Sequence, residues 1–318
     1  MTADPPLVAV IGDCLMDVVV RPAAANRPGA DVRASIALAP GGQGANVAVR
    51  LARRGTRVRL IAAVAADAAG SLLREAMAAD GVELRALASD ATGIVAAFVD
   101  PDGERTMYSE RRDLDPAAAV EAAGGATWVH VSGYALLGDA GGALAAGLAG
   151  RFVSVNGGSA AARDGRAGQL GRHLATLRPA LLVLSAQEAA GLAGDELSAT
   201  PSYGDVAAHL AERFRSVVVV TMGEVGAVAA SPAGDISAVP AVPTRAVDST
   251  GAGDAFAAGL IDDLLRTVGG PGPAVAWPPN PERLRTAMRA GATLAARVIT
   301  VIGAQTRFEG EQRATVEA

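Results

Sequence analysis

A glycine-rich turn late in the chain leads straight into a small, apolar stretch that favours a helix. The turn reads Asp248-Ser249-Thr250-Gly251-Ala252-Gly253-Asp254, and the helix-forming residues continue through Leu265. Backbone N–H groups at a helix start, together with the positive end of the helix dipole, form a binding site for anions such as phosphate. A carboxylate there, Asp254, can take a proton from a hydroxyl while the amides stabilise the phosphoryl group under attack. Read alone, these residues also suit an ordinary turn with an acid in the first helical turn.

A second glycine-rich turn opens another helix much earlier in the chain. It reads Gly41-Gly42-Gln43-Gly44-Ala45-Asn46 and continues with small and apolar residues as far as Leu51. Gly41 and Gly42 would let the backbone approach a ligand closely, and the amide of Asn46 offers a donor and an acceptor. Because many α/β proteins pack helices through such glycines, this turn alone does not define a function.

Two carboxylates follow the first apolar run of the chain. Asp13 and Asp17 come shortly after Leu7–Ile11, which we interpret as a buried strand. A carboxylate can accept two hydrogen bonds from neighbouring hydroxyls, so we expect Asp17 to hold a sugar. Asp13 either does the same or only braces the turn at the end of the strand.

Taken in order, these stretches resemble the signatures of the ribokinase-like (PfkB) family of sugar and nucleoside kinases. Gly12–Asp17 looks like the end of the family's first strand, and Asp67–Gly70 with Asp80–Val82 looks like its next strand–helix unit. Thr221–Gly226 looks like its late turn on the nucleotide side. The resemblance covers most of the chain. It implies a kinase that uses ATP and Mg²⁺.

The resemblance also implies a role for each matching residue. Asp254 would be the catalytic base, and the anion hole would consist of Gly251, Ala252 and Gly253. The substrate would contact Asp13, Asp17, Gly41, Gly42, Gln43 and Asn46. The nucleotide side would contain Ser185, Glu188, Thr221, Gly223 and Gly226, with Glu188 organising Mg²⁺ through water. Asp248 and Thr250 match positions that bind a monovalent cation, K⁺ for example, with carbonyls of a later loop around residues 298–303.

Three positions depart from the family pattern. Gln43 stands where the resembling ribokinases carry lysine, and Gly133 stands where ribokinase would offer a glutamate to ribose. Both changes argue against ribose as the substrate. Ser185 replaces an asparagine three residues before Glu188, a change that Mg²⁺ bound through water tolerates better than direct ligation would.

The composition excludes several other classes of enzyme. All 28 basic residues are arginine, so the chain has no P-loop lysine, no protein-kinase strand lysine and no amine for a Schiff base. The net charge of −5 gives no general attraction to nucleic acid. The single cysteine, Cys14, allows no internal disulfide. Because Met1–Pro6 does not resemble a signal peptide and no apolar run reaches membrane-spanning length, we expect a cytoplasmic protein with no membrane partner.

Apolar runs of strand length alternate with helical stretches along the chain. They predict buried strands at 7–11, 58–64, 127–132, 152–155, 181–184 and 217–221, with helices between them that include 71–79 and 205–214. This alternation favours one α/β domain over residues 1–318, with a mostly parallel, doubly wound sheet flanked by helices. The polar tail from Phe308 is expected to fray.

Two segments interrupt the alternation, at about 17–40 and 94–112. They contain four short strand-like pieces, including a hairpin with a turn at 100–103. We expect these pieces to form a small β-sheet lid that excludes water from phosphoryl transfer. Arg105 on this hairpin could close over the substrate or could lie solvated at a strand edge. Because lid edges can pair between subunits, a homodimer through the lid is plausible.

Three functions fit these residues to different degrees. The leading hypothesis is an ATP-dependent kinase that phosphorylates a primary hydroxyl of a small sugar. A nucleoside kinase for adenosine or pseudouridine would need an apolar platform for the base, and the lid offers only Phe98 and Tyr108 for this purpose. A non-catalytic sugar-binding protein would be compatible with Gln43 and Ser185. A dinucleotide-dependent oxidoreductase fits poorly, because no Gly-x-Gly-x-x-Gly follows the first strand.

Overall fold

The computed structural model describes residues 5–24, 29, 31–100, 105–159, 164–194, 201–268 and 277–311. In chain order, the strands of this part are β1 (Leu7–Ile11), β2 (Leu15–Pro22), β3 (Ala34–Gly41), β4 (Arg57–Ala63), β5 (Glu83–Leu87), β6 (Ile94–Val99), β7 (Arg105–Glu110), β8 (Trp128–Ser132), β9 (Val153–Asn156), β10 (Leu181–Ser185), β11 (Val217–Thr221), β12 (Gly226–Ala230) and β13 (Ile236–Pro240).

The helices connect these strands and cover both faces of the main sheet. They are α1 (Gln43–Arg53), α2 (Ala68–Ala79), α3 (Pro116–Ala122), α4 (Gly133–Leu137), α5 (Gly141–Leu148), α6 (Ala167–Leu177), α7 (Ala186–Ala193), α8 (Tyr203–Phe214), α9 (Ala252–Val268) and α10 (Pro281–Val298). In the part of the chain that the structure describes, none of them combines the length and apolar content that a membrane span requires.

The main sheet has nine strands in the order β13-β12-β11-β10-β9-β8-β1-β4-β5. The seven strands from β11 to β5 are parallel, and β12 and β13 add an antiparallel edge. This confirms the expected doubly wound α/β fold. The apolar runs predicted as strands form six of the central strands, within one or two residues at each end.

Alternate residues of the central strands enter separate cores on the two faces. Val8 and Val10 of β1 pack in the core that includes α1, α9 and α10. Ala9 and Ile11 pack in the opposite core, among residues of α3 to α8. Successive side chains of a strand point to opposite faces, and a parallel sheet covered on both sides therefore needs apolar residues at every position. The unbroken apolar runs in the sequence reflect this double burial.

A separate four-stranded sheet has the order β3-β2-β6-β7. It is built from the two segments that lack helices, and its pairing places Asp17 opposite Ala39 and Val95. Val95 in turn pairs with Ser109, which puts Asp17 and Ser109 on one face of the sheet. The predicted hairpin joins β6 to β7, but its turn lies mostly outside the described residues.

Residues 308–311 do not fray as the sequence suggested, and the rest of the predicted tail lies outside the described residues. Phe308 is buried, and the carboxylate of Glu311 pairs with the buried guanidinium groups of Arg50 and Arg53 in α1. The charge of Glu311 is thus paired with charges of α1. A charge count along the sequence does not distinguish such a buried pair from solvated residues.

Candidate active site

Several polar side chains gather where the parallel strands end. Asp13 follows β1, while Ser132, Asn156 and Ser185 are the last residues of β8, β9 and β10. The carboxyl ends of parallel strands lie along one edge of the sheet, where ligands of open α/β folds usually bind. The glycine-rich starts of α1 and α9 reach this same edge, because Asn46 of α1 contacts Asp254 of α9.

The start of α9 is fixed by a glycine in the left-handed region. Gly251 has φ +77°, and a Cβ at this position would lie 2.6 Å from the Cβ of Ala304. The N–H of Ala252 bonds to the carbonyl of Ser249 at 3.2 Å, which closes the turn. The N–H groups of Gly253 and Asp254 lie in the first helical turn and have no acceptor within the helix. The turn can therefore present these two donors, with the helix dipole, to an anion.

Asp254 is held by two asparagines from other elements. Asn46 donates from Nδ2 to Oδ2 of Asp254 at 2.8 Å, and the side chain of Asn156 donates to the same carboxylate. Burial raises the pKa of Asp254 to about 7, and the negative charges of Asp13 and Glu188 add to this rise against the two hydrogen bonds. A carboxyl group with such a pKa can accept a proton near neutral pH.

The start of α1 is closed by bonds within the protein. Gly42 has φ +99°, and a Cβ there would lie 2.5 Å from the carbonyl oxygen of Asp13. Asp13 accepts from the N–H of Ala45 through its carbonyl at 3.0 Å and from the N–H of Gly44 through Oδ1 at 3.3 Å. The turn therefore serves to hold α1 tightly against the end of β1.

The amide of Gln43 ties three elements of the site together. Its Nε2 donates to the carbonyl of Gly157 at 2.8 Å. Its Oε1 accepts from the hydroxyl of Ser132 at 2.7 Å and from the N–H of Gly133 at 3.0 Å. The residue was predicted to contact the substrate. The observed bonds use it as a brace between α1 and the ends of β8 and β9, and a substrate contact stays a prediction.

Asp13 and Asp17 lie close enough to influence each other. Burial and, to a smaller extent, the charge of Asp13 raise the pKa of Asp17 to about 6, against the opposing charge of Arg111. Gly41 packs on the Asp17 carboxylate, since a Cβ there would lie 2.1 Å from Oδ2. The guanidinium of Arg111 forms an ion pair with Asp13 and lies 3.8 Å from the ring centroid of Tyr134. Arg111 thus links the end of β7 to the main domain.

A cleft of about 570 Å³ opens beside this group, between the small sheet and the main domain. Its wall includes Asp13, Met107, Ser109, Arg111, Tyr134 and Ser159. Met107 and Ser109 belong to the face of the small sheet that carries Asp17. Arg105 begins β7, but its side chain lies outside the described part, so its predicted contact stays untested.

Ser185 and Glu188 cap the start of α7 for each other. The Ser185 hydroxyl accepts from the N–H of Glu188 at 3.3 Å, and Oε2 of Glu188 accepts from the N–H of Ser185 at 2.8 Å. Glu188 also lies against Gly157, where a Cβ would approach Oε2 to 2.4 Å. A carboxylate held at the strand edge, with charge reaching Asp254, has the oxygen chemistry that Mg²⁺ prefers, either directly or through water.

The predicted nucleotide-side glycines differ in their surroundings. Gly223 has φ +58° and open space around it. Gly226 is buried with φ +119°, and a Cβ there would lie 2.2 Å from the carbonyl oxygen of Val239. The pairing of β12 with β13 therefore explains Gly226 without any ligand. Thr221 is partly exposed and its hydroxyl donates to the carbonyl of Leu184 at 3.3 Å.

Asp248 connects the α9 turn to the loop after α10. Its Oδ1 accepts from the N–H and hydroxyl of Thr250 at 2.9 and 2.6 Å, and its Oδ2 accepts from the N–H of Gly303 at 2.9 Å. The two loops that would share a monovalent cation are therefore adjacent.

Sequence reasoning missed two residues that the structure brings to the centre of the site. Asn156 contacts Asp254, and Gln305 contacts Asn46. A polar residue at the end of the apolar run 152–155 was a usable signal for Asn156. Gln305 gave no such signal, because its partner lies far away in the chain.

Comparison with known proteins gives the same picture. Residues 5–309 match the model of the pfkB family of carbohydrate kinases. A fructokinase of Klebsiella pneumoniae is 30% identical over 279 residues, which cover 80% of this chain and 83% of that protein. An aminoimidazole riboside kinase of Salmonella typhimurium is 27% identical, with 81% and 80% covered.

Solved structures with low sequence identity share the fold. The ribokinase of Giardia lamblia superimposes with a TM-score of 0.77 at 18% identity, covering 95% of both chains. The ribokinase of Thermotoga maritima gives a TM-score of 0.74 at 21% identity, covering 94% of this chain and 95% of that one. The family match spans nearly the whole chain and includes both glycine-rich turns, so this protein belongs to the pfkB family of carbohydrate kinases and is a phosphotransferase that acts on an alcohol group.

Proposed function

We propose that this kinase transfers the γ-phosphoryl group of ATP to a primary hydroxyl of a small sugar, with Asp254 as the base. The observation that carries the proposal is the position of Asp254. Its carboxylate sits in the first turn of α9, next to N–H donors without acceptors in the helix, and its pKa is raised to about 7. A base and an anion site on one turn suit the transfer of a phosphoryl group to a hydroxyl.

The reaction would proceed by in-line displacement. As Asp254 takes the hydroxyl proton, the hydroxyl oxygen forms a bond to the γ-phosphorus and the bond from that phosphorus to the bridging oxygen of ADP breaks. The N–H groups of Gly253 and Asp254 would stabilise the negative charge on the transferring group, while the N–H of Ala252 closes the turn. Asp13, which lines the cleft, and Asp17, whose pKa the charge of Asp13 helps to raise, would hold other hydroxyls of the sugar.

Members of this family use ATP with a divalent metal, and the site contains residues that fit the metal. Mg²⁺ bound near Glu188 would neutralise charge on the phosphates. Asp248 and Thr250, with the loop at 298–303, would hold a monovalent cation such as K⁺ that stiffens the turn before α9. The support for the second site is the bond between Asp248 and the N–H of Gly303, which joins the two loops.

A sugar fits the cleft better than a nucleoside does. Phe98 and Tyr108, the two lid aromatics that could support a base, stand on the face of the small sheet opposite to Asp17, by the strand register. Tyr134 lines the cleft, but the Arg111 guanidinium covers its ring at 3.8 Å. Among the described residues the cleft therefore offers no open aromatic surface. A nucleoside kinase remains the alternative, since one relative is an aminoimidazole riboside kinase.

The test is ATP consumption by the purified protein with Mg²⁺ and K⁺ over a panel of substrates. The panel would contain fructose, ribose, tagatose, 2-keto-3-deoxygluconate, inositols, adenosine and pseudouridine. We expect turnover on a sugar, and a loss of about a hundredfold or more in Asp254→Asn. Turnover on nucleosides alone would favour the alternative. Equal turnover in the variant would remove Asp254 as the base, and binding of a sugar without any turnover would support a non-catalytic protein.

The outer face of the small sheet supports a further proposal, that two copies of the chain associate through it. Ile36, Leu38 and Tyr108 are 65%, 62% and 64% exposed. The strand register places all three on the face away from Asp17. Large apolar side chains exposed on one face are typical of an interface. Light scattering should give the mass of a dimer for the wild type and that of a monomer for Leu38→Glu. A monomeric wild type would contradict the proposal.

A further inference from the structure

A chain of two hydrogen bonds leads from the C-terminal segment to the carboxylate of Asp254. Gln305 is buried and donates from Nε2 to Oδ1 of Asn46 at 2.9 Å. Asn46 donates in turn from Nδ2 to Oδ2 of Asp254 at 2.8 Å. Both asparagine atoms are thus engaged, one by the segment after α10 and one by the proposed base.

We propose that Gln305 is a positioning residue for the phosphoryl transfer, which acts on Asp254 by fixing the orientation of the Asn46 amide. The inference rests on the proposed role of Asp254 as the base. Gln305 itself contacts Asn46, and the Asn46 amide lies between it and the carboxylate. Its effect therefore passes through Asn46.

The chemistry of an amide explains why the orientation matters. One end of Asn46 donates and the other accepts, and a half-turn about the last side-chain bond exchanges them. When Gln305 donates to Oδ1, Nδ2 must face Asp254. A reversed amide would set its oxygen against the carboxylate, and the ionised form of Asp254 would lose a donor and gain a repulsion.

The segment that carries Gln305 is held firmly on both sides. Arg50, fully buried in α1, donates from one guanidinium nitrogen to the carbonyls of Ala304 and Thr306, at 2.5 and 2.9 Å. Its other terminal nitrogen bonds to Glu311 at 2.6 Å. The backbone on either side of Gln305 is therefore fixed, and the Gln305 side chain has little freedom to leave Asn46.

Stability alone does not account for a glutamine at this place. Oε1 of Gln305 is buried and has no hydrogen-bond partner among the described residues. An apolar side chain of similar length would avoid the cost of burying an unpaired acceptor. The donor end of Gln305, which faces Asn46, is what an apolar residue would lack.

Gln305→Met and Gln305→Glu test the inference. Methionine keeps the length without a donor, and glutamate would accept from Nδ2 and so favour the reversed amide. Thr306→Ala is the matched control, because its exposed hydroxyl bonds only to the carbonyl of Ile302. We expect kcat to fall about five- to tenfold in Gln305→Met and further in Gln305→Glu. KM for sugar and ATP should stay within about twofold, since both ends of the Asn46 amide are bonded within the protein and Gln305 itself is not proposed to bind either ligand.

The pH profile separates positioning from a merely structural role. The charged groups that act on Asp254 are Asp13 and Glu188, and neither is changed by the variants. Loss of the fixed donor should raise the pKa of Asp254, so the acid limb of kcat/KM should move to higher pH in Gln305→Met. Thr306→Ala should keep the wild-type limb. An unmoved limb in both Gln305 variants would overturn the inference.

A readout without turnover keeps the inference testable if the proposed reaction is wrong. Carbon-13 labelling of aspartate carboxyls allows direct titration by NMR, with Asp254→Asn identifying the signal of Asp254. We expect this signal to titrate at higher pH in Gln305→Met than in the wild type. If no substrate is turned over, the proposed function fails, and an unchanged titration would then separately contradict the role of Gln305.

Discussion

The two glycine-rich helix starts of this kinase look alike in sequence but differ in how their amides are used. At the start of α1, the N–H groups of Gly44, Ala45 and Asn46 all bond to acceptors within the protein. At the start of α9, the N–H groups of Gly253 and Asp254 have no acceptor in the helix. The first turn is a brace that holds side chains in place, and the second leaves two N–H donors for the anion that we propose to bind there.

Both turns require a glycine for the same reason, although the neighbouring residues differ. A Cβ on Gly42 would collide with the carbonyl oxygen of Asp13, and a Cβ on Gly251 would collide with Ala304. Both residues also have positive φ, which disfavours any other amino acid. The turns therefore differ in how their N–H groups are used and not in their need for glycine. Substituting each glycine tests this difference.

The largest effect is expected from Gly251→Ala. The new methyl group must displace Ala304 or the turn, so the N–H groups of Gly253 and Asp254 would no longer converge on the phosphoryl group. We expect kcat to fall about a hundredfold or more, as when a donor of an anion hole is lost. Steady-state kinetics with a sugar identified by the panel measures this loss.

Gly253→Ala provides the matched control for folding. Gly253 has ordinary φ, and nothing lies within 4 Å of the place where its Cβ would stand. Thermal unfolding should therefore give the wild-type melting temperature for Gly253→Ala and a lower one for Gly251→Ala. Full activity in Gly251→Ala would contradict the assignment of the α9 turn as the anion site.

Gly42→Ala should affect stability and sugar binding more than the chemical step. Its methyl would press on the Asp13 backbone, and the strained conformation costs about 1–3 kcal/mol. We expect a reduced free energy of unfolding in urea and a raised KM for the sugar, because Asp13 moves. The value of kcat should fall less than in Gly251→Ala. If the two variants lost kcat alike, the contrast between brace and anion site would be wrong.

The pH dependence of stability probes Asp254 itself. Burial raises its pKa from the ordinary 3.8 to about 7 in the fold, so the folded protein binds one more proton than the unfolded chain between these pH values. Stability due to this group must then decrease as pH rises through that range, because ionisation in a desolvated site is unfavourable. Asp254→Asn has no such charge.

The melting temperature of Asp254→Asn, relative to that of the wild type, should therefore rise by roughly 2–4 °C between pH 5 and pH 8. Differential scanning calorimetry at the two pH values measures this change. A constant difference would mean that the carboxylate is solvated, and that the α9 turn is more open than its contacts indicate.

The sequence predicted the centre of the fold better than its edges. β1 and β11 were located to the residue because both faces of these strands are buried, which leaves an unbroken apolar run. β5 and β13 at the two edges of the sheet were missed, since β13 alternates between exposed and buried residues and β5 has no buried residue. β12 was missed because glycine and alanine make up most of it, and such residues suit several structures.

In the candidate site, the sequence predicted individual residues but not the contacts between them. Asp254 and Asn46 could be proposed because they stand beside glycines that mark a turn, and Asp17 because it follows the first apolar run. Their mutual arrangement could not, since the contact between Asn46 and Asp254 joins residues 208 positions apart. The brace formed by Gln43 was hidden for the same reason, and the substrate contact expected of this residue stays a prediction.

Ser185→Asn extends the comparison to a third helix start, that of α7. Among these substitutions it should change stability and activity least. The start of α7 is closed by its own side chains, Ser185 and Glu188, so it is neither a brace to another element nor an open site. Asparagine caps helices as well as serine does, and the free energy of unfolding should change by less than about 0.5 kcal/mol. The Mg²⁺ concentration for half-maximal activity should stay within about threefold, because Glu188 keeps its bond to the backbone N–H of residue 185. If half-maximal activity in the variant needed a tenfold lower Mg²⁺ concentration, the serine would weaken metal binding. The start of α7 would then belong to the active site.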